Sequence, residues 1–312
     1  MLGSAAVAQT PEWPQAKPIT CIVPFTAGGS TDVVGRTIGQ TLQEALKQTG
    51  VVDNKPGQGG ASARASSPRP HRMATRSSAA RSARTPSTPA CIKKLSYDPV
   101  KDFAPVALVA FLPNVRLVDP NLGVNNVVEL IALLKKDEKK RTFASSGAGT
   151  STHLAGEMFA DLMGVPLAHI PYKGTPPAIV DVSSGQVTFM FDQMTAALPL
   201  LQAGKLKRLA VTAAKRIALA PAKPTMIEAG VPGFEMSSWQ AIYAPKGTPK
   251  AIVQRLYAEI AKALKQPDVQ AKLGGQLGME IVGGSPEQLA ALMAREIPRW
   301  AALVKKSGAT AN

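Results

Sequence analysis

Cysteine is scarce in this chain, and long apolar runs are missing from it. Only Cys21 and Cys91 occur among the 312 residues; a disulfide between them has little support, and their spacing does not indicate a metal site. Cys21 lies in an apolar stretch, where a buried structural thiol is expected. No run of eighteen apolar residues occurs, so the sequence predicts no membrane-spanning helix.

Acidic residues are also few. Asp and Glu number 21 against 36 Lys and Arg, which gives a net charge of +15 and raises the question of a nucleic-acid or other anionic partner. The basic residues are spread along predicted helices, and aromatic residues make up only 5% of the chain. We therefore predict a solvated basic surface and no nucleic-acid partner. The alternative is a basic interaction protein that binds nucleic acid in a salt-dependent way.

One segment, 61–92, lacks leucine, valine, aromatic residues and acids altogether. Such a composition buries too little apolar surface to offset the entropy of ordering. Its four prolines each remove a donor from any strand attempted there. We expect 61–92 to be irregular or disordered. The prolines are Pro68, Pro70, Pro86 and Pro89, and the segment carries Arg64, Arg69, Arg72, Arg76, Arg81 and Arg84.

Outside that segment, strand and helix patterns alternate, as in a packed α/β protein. The predicted strands are 19–25, 51–53, 105–118, 142–144, 167–170, 187–191 and 208–212. The predicted helices are 31–48, 127–134, 153–163, 176–183 and 194–203, with two further helices carrying apolar stripes at 252–264 and 289–304. This alternation predicts two mostly parallel sheets that face each other over a shared cleft.

The first residues are typical of the end of a secretory signal. Ala6-Val7-Ala8 is a cleavage site of the A-x-A type, and Gln9 would open the mature chain. We interpret 1–8 as a signal-peptide remnant, truncated at its start, and predict an exported, periplasmic protein.

Glycine-rich loops follow predicted strands at three places, 26–30, 145–151 and 173–175, within the motifs 24–32, 145–157 and 169–177. Each is followed by a helix, so backbone N–H groups and a helix dipole would favour a negative charge there. None is a Walker A loop or a GxGxxG motif. Lys173 adds a cation. Three such loops predict a pocket for a carboxylate.

A hydrolase has to be weighed, because Ser151, His153 and Asp192 lie near these loops. The chain has no G-x-S-x-G elbow, and Ser151 and His153 stand only two positions apart, so we favour binding over catalysis. An enzyme acting on a small carboxylate is the alternative.

Several motifs occur in an order that resembles the Bug/TctC family, the periplasmic solute-binding subunits of tripartite tricarboxylate transporters. They include ValProPhe-x-x-GlyGly-x-x-Asp, AsnLysProGly-x-GlyGly, LeuSerTyrAspProValLysAspPheAlaProVal, PheAlaSerSerGly-x-GlyThrSer-x-HisLeuAlaGlyGlu, HisIleProTyrLysGly, MetPheAsp and GluAlaGlyValProGlyPheGlu. The resemblance covers 13–310 apart from 61–92.

This resemblance implies a type II periplasmic-binding-protein fold, in which two α/β lobes close over a carboxylate in the cleft between them. Lobe one would comprise 9–110 and 240–312, and lobe two 111–239, with hinges near 107–118 and 236–246. The ligand-binding residues it implies are Phe25, Thr26, Ala27, Gly28, Gly29, Ser30 and Asp32 in lobe one, and Ser145, Ser146, Gly149, Thr150, Ser151, His153, Lys173 and Asp192 in lobe two.

The resemblance also implies a monomer without catalytic residues, cofactor or metal. Its partners would be the solute and the membrane subunits of a transporter. A di- or tricarboxylate, an amino acid and an aromatic acid all remain open as the solute.

The family's usual motifs AspGlyTyrThrLeu and ThrHisAlaIleAsnProSerLeuTyr are missing between AsnLysProGly and LeuSerTyrAsp. Codon boundaries in 61–92 account for this. Met73 is ATG and Ala74 is GCN, so the overlapping triplet is GGC, which encodes glycine. Residues 72–77 then permit the first motif in a shifted frame, and 83–92 permit the second. We infer two compensating frameshifts, near 61 and near 92. The alternatives are a natural basic loop and a binding-defective product of a frameshifted gene.

Overall fold

The computed structural model describes residues 13–14, 18–56, 80–83, 98, 101–217 and 219–307. The predicted signal remnant 1–8 and the ranges 61–79 and 84–92 lie outside the described residues. Within the described part, the strands form two separate sheets.

The first sheet has six strands. They are β1 (Ile19–Val23), β2 (Gly50–Asn54), β3 (Ala80–Ala83), β4 (Phe103–Pro113), β10 (Ser237–Pro245) and β11 (Glu280–Gly284). Their order across the sheet is β11-β4-β10-β3-β1-β2.

The second sheet has five strands. They are β5 (Val115–Val118), β6 (Thr142–Ser145), β7 (Ala168–Pro171), β8 (Phe189–Asp192) and β9 (Lys207–Val211). Their order is β7-β6-β8-β5-β9.

Seven longer helices pack on these sheets. They are α1 (Ser30–Leu46), α2 (Val127–Lys136), α3 (Ser151–Met163), α4 (Thr175–Ser183), α5 (Met194–Gln202), α6 (Lys250–Ala263) and α7 (Pro286–Ser307). The predicted helices are confirmed to within a few residues at each end. No helix in the described part of the chain is long and apolar enough to cross a membrane.

The prediction of mostly parallel sheets is wrong, because both sheets are mixed. In the first sheet β1 pairs in parallel with β2 and β3, whereas β10 is antiparallel to β3 and β4. In the second sheet β6 is parallel to β7 and β8, whereas β5 is antiparallel to β8 and β9. The antiparallel pairs involve β4, β5 and β10, the strands that carry the chain into and out of the second sheet. Strand–helix alternation could not reveal them.

The prediction that the whole of 61–92 is irregular is wrong at β3. This strand lies between β1 and β10, with Cys21 opposite Ala80 and Tyr243 opposite Arg81. The four prolines of the segment lie outside 80–83, so no ladder donor is missing from this stretch. The backbone N–H and C=O groups of both neighbouring strands need hydrogen-bond partners, and any extended, proline-free segment can supply them.

The chain passes from the first sheet to the second at Asn114, within the predicted range 107–118, and returns between Val211 and Ser237. These two crossings are bonded to each other. Thr212 Oγ1 accepts a hydrogen bond from the Asn114 backbone N–H at 2.9 Å and contacts the carbonyl oxygen of Met236 at 2.6 Å. The backbone N–H of Met236 donates to the Thr212 carbonyl at 2.9 Å. The connection between the two sheets is therefore a small, well-bonded unit.

One apolar cluster is shared by the two sheets. Phe143, Phe159, Phe189 and Phe191 of the second sheet and its helices belong to it, together with Leu289 and Trp300 of α7 and with Leu108, Trp239 and Tyr243 of β4 and β10. A separate cluster lies under the first sheet, where Val34, Ile38 and Leu42 of α1 pack with Leu256 and Ile260 of α6. Because α7 also packs on β4, this helix connects the two sheets.

Candidate functional site

Four helices begin directly after strands on the edges of the two sheets that face each other. Helix α1 follows β1, and α3, α4 and α5 follow β6, β7 and β8. Gly29, Gly174 and Gln193 precede α1, α4 and α5, and at none of these three described positions does a side chain cap the helix. Uncapped helix N-termini present backbone N–H groups and the positive end of a helix dipole, so they favour an anion.

The loops of the two sheets touch each other. A β-carbon added to Gly174 would lie 2.1 Å from Thr26 Oγ1, and one added to Gly28 would lie 3.7 Å from Pro176. The hydroxyl of Ser30 donates a hydrogen bond to the side-chain oxygen of Gln193. The N-terminal ends of α1, α4 and α5 therefore lie around one closed cleft.

Asp32 shapes the loop between β1 and α1 from within. Its carboxylate accepts hydrogen bonds from the Gly28 N–H at 3.0 Å, from Arg36 Nε at 2.9 Å and from Asn54 Nδ2 at 2.9 Å. Burial alone would raise the pKa of Asp32, but these hydrogen bonds and the charge of Arg36 together lower it below its usual value. The carboxylate is engaged by its own loop, so its role in the geometry is to hold the glycine turn.

A group of hydroxyls orders the loop between β6 and α3. Thr152 Oγ1 accepts the Ser146 N–H at 3.0 Å and lies 2.9 Å from both Ser146 Oγ and Thr150 Oγ1. Thr150 Oγ1 donates to the carbonyl of Gly147 at 2.7 Å. Ser146 and Thr150 were predicted from the sequence, whereas Thr152 at the centre of the group was missed.

Two histidine rings support the same loop from behind. The rings of His153 and His169 stack with centroids 3.7 Å apart, and Phe143 stacks on His169 at 4.9 Å. His153 Nδ1 accepts the backbone N–H of Gly149 at 3.0 Å, and His169 Nε2 lies 2.6 Å from Ser145 Oγ. Burial, together with the charge of His153, lowers the pKa of His169 to about 3. His153 holds the loop by accepting a backbone N–H, and His169 holds it through its hydrogen bond with Ser145.

The remaining predicted residues divide into buried and exposed groups. Phe25, Ser151 and Asp192 are buried, and Asp192 ends β8, where Oδ1 accepts the Gln193 N–H at 2.7 Å. Ala27 and Lys173 are exposed. The predicted residues therefore include buried hydroxyl, amide and backbone groups, whereas the side chain of Lys173 is exposed.

Three neutral side-chain oxygens around the cleft have no hydrogen-bond partner within the described part of the chain. They are Thr26 Oγ1, Ser151 Oγ and Gln240 Oε1, and all three atoms are buried. A buried polar atom without a partner is costly, so these atoms are available to a water molecule or a bound group.

Sequence reasoning missed the residues that connect the two sides. Gln193 Nε2 donates to Ser238 Oγ at 2.5 Å, and Gln240 Nε2 lies 3.2 Å from Ser30 Oγ and 3.3 Å from Thr31 Oγ1. A signal for Gln193 was present in the sequence, because it is a polar residue directly after the apolar strand β8. Ser238 and Gln240 lie on β10, which the sequence did not predict as a strand.

The described residues contain no cluster of three or more His, Cys, Asp or Glu side chains placed to hold a metal ion.

Residues 34–309 match the family described as "Tripartite tricarboxylate transporter family receptor", TctC. The chain belongs to this family. The resemblance drawn from its motifs is thereby confirmed.

Solved structures with the same fold cover nearly the whole chain. A protein of R. palustris with adipate has 35% sequence identity and a TM-score of 0.89, covering 96% of this chain and 99% of its own. The periplasmic binding protein BugD has 36% identity and a TM-score of 0.86, covering 94% and 98%. MatC from Rhodopseudomonas palustris, with bound malate, has 32% identity and a TM-score of 0.83, covering 92% and 99%. These matches confirm the two-lobed type II periplasmic-binding-protein fold.

Proposed function

We propose that this receptor captures a small organic carboxylate between its two lobes and delivers it, in the periplasm, to the membrane subunits of a transporter. One observation carries the proposal. Three helices from both sides of the cleft, α1, α4 and α5, begin there without side-chain caps. An anion held in the cleft would accept their backbone N–H groups.

The electrostatics of the cleft suit a carboxylate held by neutral donors. Helix dipoles and fixed N–H groups stabilise a negative charge without a basic side chain beside it. The buried hydroxyls of Thr26 and Ser151 add hydrogen-bonding capacity on either side. Lys173 is exposed at the cleft surface, where it would attract an anion without being buried against it.

We favour a dicarboxylate as the solute. Two proteins of the same fold carry adipate and malate, and both ligands have a carboxylate at each end. The cleft of this chain offers helix N-termini on two facing sides, one from α1 and two from α4 and α5, so it has donors for both ends. An amino acid and an aromatic acid are the other solutes to be tested.

We further propose that the cleft binds its solute without catalysing a reaction. Ser145 Oγ and His169 Nε2 lie 2.6 Å apart, as in a Ser–His pair. Ser145 is fully buried, however, and its oxygen already accepts the Gly147 N–H at 3.1 Å. The pKa of His169 is lowered to about 3, so this ring is a weak general base at neutral pH, and we interpret the pair as one that holds the loop.

We propose that lobe one comprises 9–110 and 240–312 and lobe two comprises 111–239. The first sheet includes β4 up to Pro113 and β10 from Ser237, so 111–113 and 237–239 pair within the sheet of lobe one and the crossings lie a few residues inside these bounds. We also propose that 61–92 is encoded in a shifted frame. Since β3 lies in the middle of the first sheet, the identity of this segment bears directly on the stability of lobe one.

A thermal-shift panel tests the function. Malate, adipate, citrate, aspartate and benzoate would be compared with the dimethyl esters of malate and adipate, which keep the size and lose the charge. We expect a dicarboxylate to raise the melting temperature, because a ligand that binds only the folded protein stabilises it by mass action. Equal shifts with acids and esters, or no shift with any acid, would overturn the proposal.

A further inference from the structure

The side chain of Gln193, in lobe two, forms hydrogen bonds with lobe one. It stands at the end of β8, before α5, and is only 2% exposed. Its carboxamide oxygen accepts the hydroxyl of Ser30, at the start of α1. Its amide nitrogen donates to Ser238 Oγ, on β10, at 2.5 Å. One amide therefore connects the end of β8 in the second sheet to two elements of the first lobe, α1 and β10.

The partners of Gln193 are fixed by their own lobe. Ser238 Oγ donates to the Leu112 carbonyl of β4 at 3.2 Å. Ser30 Oγ receives Gln240 Nε2 at 3.2 Å, and the same nitrogen lies 3.3 Å from Thr31 Oγ1. Gln240 thus holds the start of α1 against β10. When the lobes separate, these contacts within lobe one can persist, whereas both bonds of Gln193 must break.

We infer that Gln193 is a positioning residue for closure: its two hydrogen bonds across the cleft stabilise the closed form and so set how tightly the solute is held. The effect of Gln193 on solute affinity rests on the proposed function. Its effect on lobe closure is independent of that function. A protein whose binding-competent form is only partly populated binds with reduced apparent affinity, so a residue that favours closure raises affinity without touching the solute.

The expected size of the effect follows from the geometry. A neutral buried hydrogen bond makes a modest net contribution to the free energy of the closed form. The loss of two such bonds on opening corresponds to roughly a 5- to 50-fold change in the population of the closed form. The effect should appear mainly as faster dissociation of the solute, since the bonds exist only after the lobes have closed.

The test uses Gln193→Met, which keeps the length and apolar stem of the side chain and removes both hydrogen bonds. The matched control is Gln202→Met, at the exposed far end of the same helix α5. Malate and adipate are titrated into each protein by calorimetry, and dissociation is followed by stopped flow. We expect binding roughly 5- to 50-fold weaker for Gln193→Met and unchanged for Gln202→Met.

A double-mutant cycle separates this role from a general loss of packing. Ser30→Ala, Gln193→Met and the double variant are compared for affinity. If the two side chains act through their mutual bond, the second substitution costs much less once the first is present. Additive effects, or wild-type affinity for Gln193→Met, would overturn the inference.

Small-angle scattering of the proteins without solute gives a readout that does not depend on the proposed function. We expect Gln193→Met to be more extended on average than wild type, with Gln202→Met unchanged. Equal radii of gyration for wild type and Gln193→Met would contradict the inference even if malate binds. If no carboxylate binds the wild-type protein, the proposed function fails, and the scattering comparison still decides the role of Gln193.

Discussion

Gly174 of lobe two faces the hydroxyl of Thr26 of lobe one so closely that a β-carbon on Gly174 would lie 2.1 Å from Thr26 Oγ1. The φ angle of Gly174 is +152°, a region that other residues rarely adopt. Both the backbone conformation and the closeness of the lobes therefore require glycine here. No other contact between the lobes is so sensitive to a single methyl group among those the structure describes.

The first prediction concerns this contact. Gly174→Ala should hold the lobes apart and weaken solute binding by at least about tenfold, because a closed form with that overlap would cost more than about 1.4 kcal/mol. Calorimetric titration with malate or adipate measures the loss. Gly164→Ala is the matched control, since Gly164 also has a positive φ (61°) and lies in lobe two, but has open space around it. Equal losses in the two variants would show that backbone strain, and not closure, is responsible.

The second prediction concerns Arg116, a fully buried arginine on β5. Its guanidinium lies 3.5 Å from the ring centroid of Phe159 and 4.2 Å from that of Phe189. None of its three nitrogens has a hydrogen-bond partner in the described part of the chain. Burial lowers the pKa of Arg116, but a guanidinium remains charged in proteins. The lost hydration of this charge therefore lowers the stability of the folded protein.

Arg116→Met should therefore raise the free energy of unfolding by at least about 1 kcal/mol, as measured by urea denaturation. The control is Arg299→Met, because Arg299 is exposed and also lies near an aromatic ring, at 6.0 Å from Trp300. A destabilised Arg116→Met variant would mean that the contacts with the rings outweigh the lost hydration of the charge.

The third prediction concerns the packing of α3 on β6. A β-carbon on Gly156 would lie 2.0 Å from Phe143 Cε2, in the aromatic core of lobe two. Gly156→Ala should lower the free energy of unfolding by about 1–3 kcal/mol, although alanine is normally the better helix former. Gly275→Ala, at a position with nothing within 4 Å, should show no such loss. Stability equal to wild type for Gly156→Ala would mean that Phe143 moves aside at little cost.

The fourth prediction is a dependence of stability on pH. Burial and the His153 charge lower the pKa of His169 from 6.5 to about 3 in the folded protein. Between these values the unfolded chain takes up the proton and the folded chain does not. The stabilising contribution is therefore complete above pH 6.5 and is lost as the pH falls towards 3, by up to about 1.4 kcal/mol per pH unit.

His169→Gln keeps an acceptor near Ser145 and removes this titration. The free energy of unfolding, measured by urea denaturation at several pH values, should fall steeply between pH 7 and 4.5 for wild type. It should change less with pH for His169→Gln. Asp32, whose pKa is also lowered, acts in the same direction only near and below pH 4. Parallel pH profiles for the two proteins would contradict the assignment.

The fifth prediction concerns the coding of 61–92. Sequencing of the gene across codons 55–95 should show the AspGlyTyrThrLeu and ThrHisAlaIleAsnProSerLeuTyr codons in one frame if the printed segment is a reading error. If the printed bases are correct, the Arg-rich chain is the real product. Trypsin should then cleave first within 61–79 or 84–92, since Arg64, Arg72, Arg76 and Arg84 lie there and none of them is followed by proline. Resistance of these ranges to trypsin would argue for an ordered natural loop.

The sequence predicted most helices because their apolar periodicity is local. It predicted the ligand loops for the same reason: glycine, hydroxyl and helix start follow one another within a few positions, as at Thr150 and Ser151. The strand β10 was missed, because its role is to pair with β3 and β4, and no local pattern shows which distant strands a segment joins. The prolines of 61–92 suggested that no strand forms there, but β3 occupies a proline-free stretch between two strands that need a partner.

The connections between lobes were beyond reach from the sequence. Ser30 and Gln193 are 163 positions apart, and Ser30 and Gln240 are 210 apart. Their meeting depends on how the two lobes are placed by the crossings at Asn114 and Thr212, which no local pattern in the sequence shows. Asp192 and Lys173 illustrate the same limit: one is buried and one is exposed, yet the sequence predicted both as lining residues on equal grounds.

Calorimetric titration of malate and adipate into the wild-type protein, with their dimethyl esters as controls, tests the central claim most directly. The account predicts saturable binding of a dicarboxylate at one site per chain, no binding of the esters, and loss of binding in Gly174→Ala. Failure of every dicarboxylate to bind the chain with a verified 61–92 coding sequence, or equal binding of acids and esters, would contradict it.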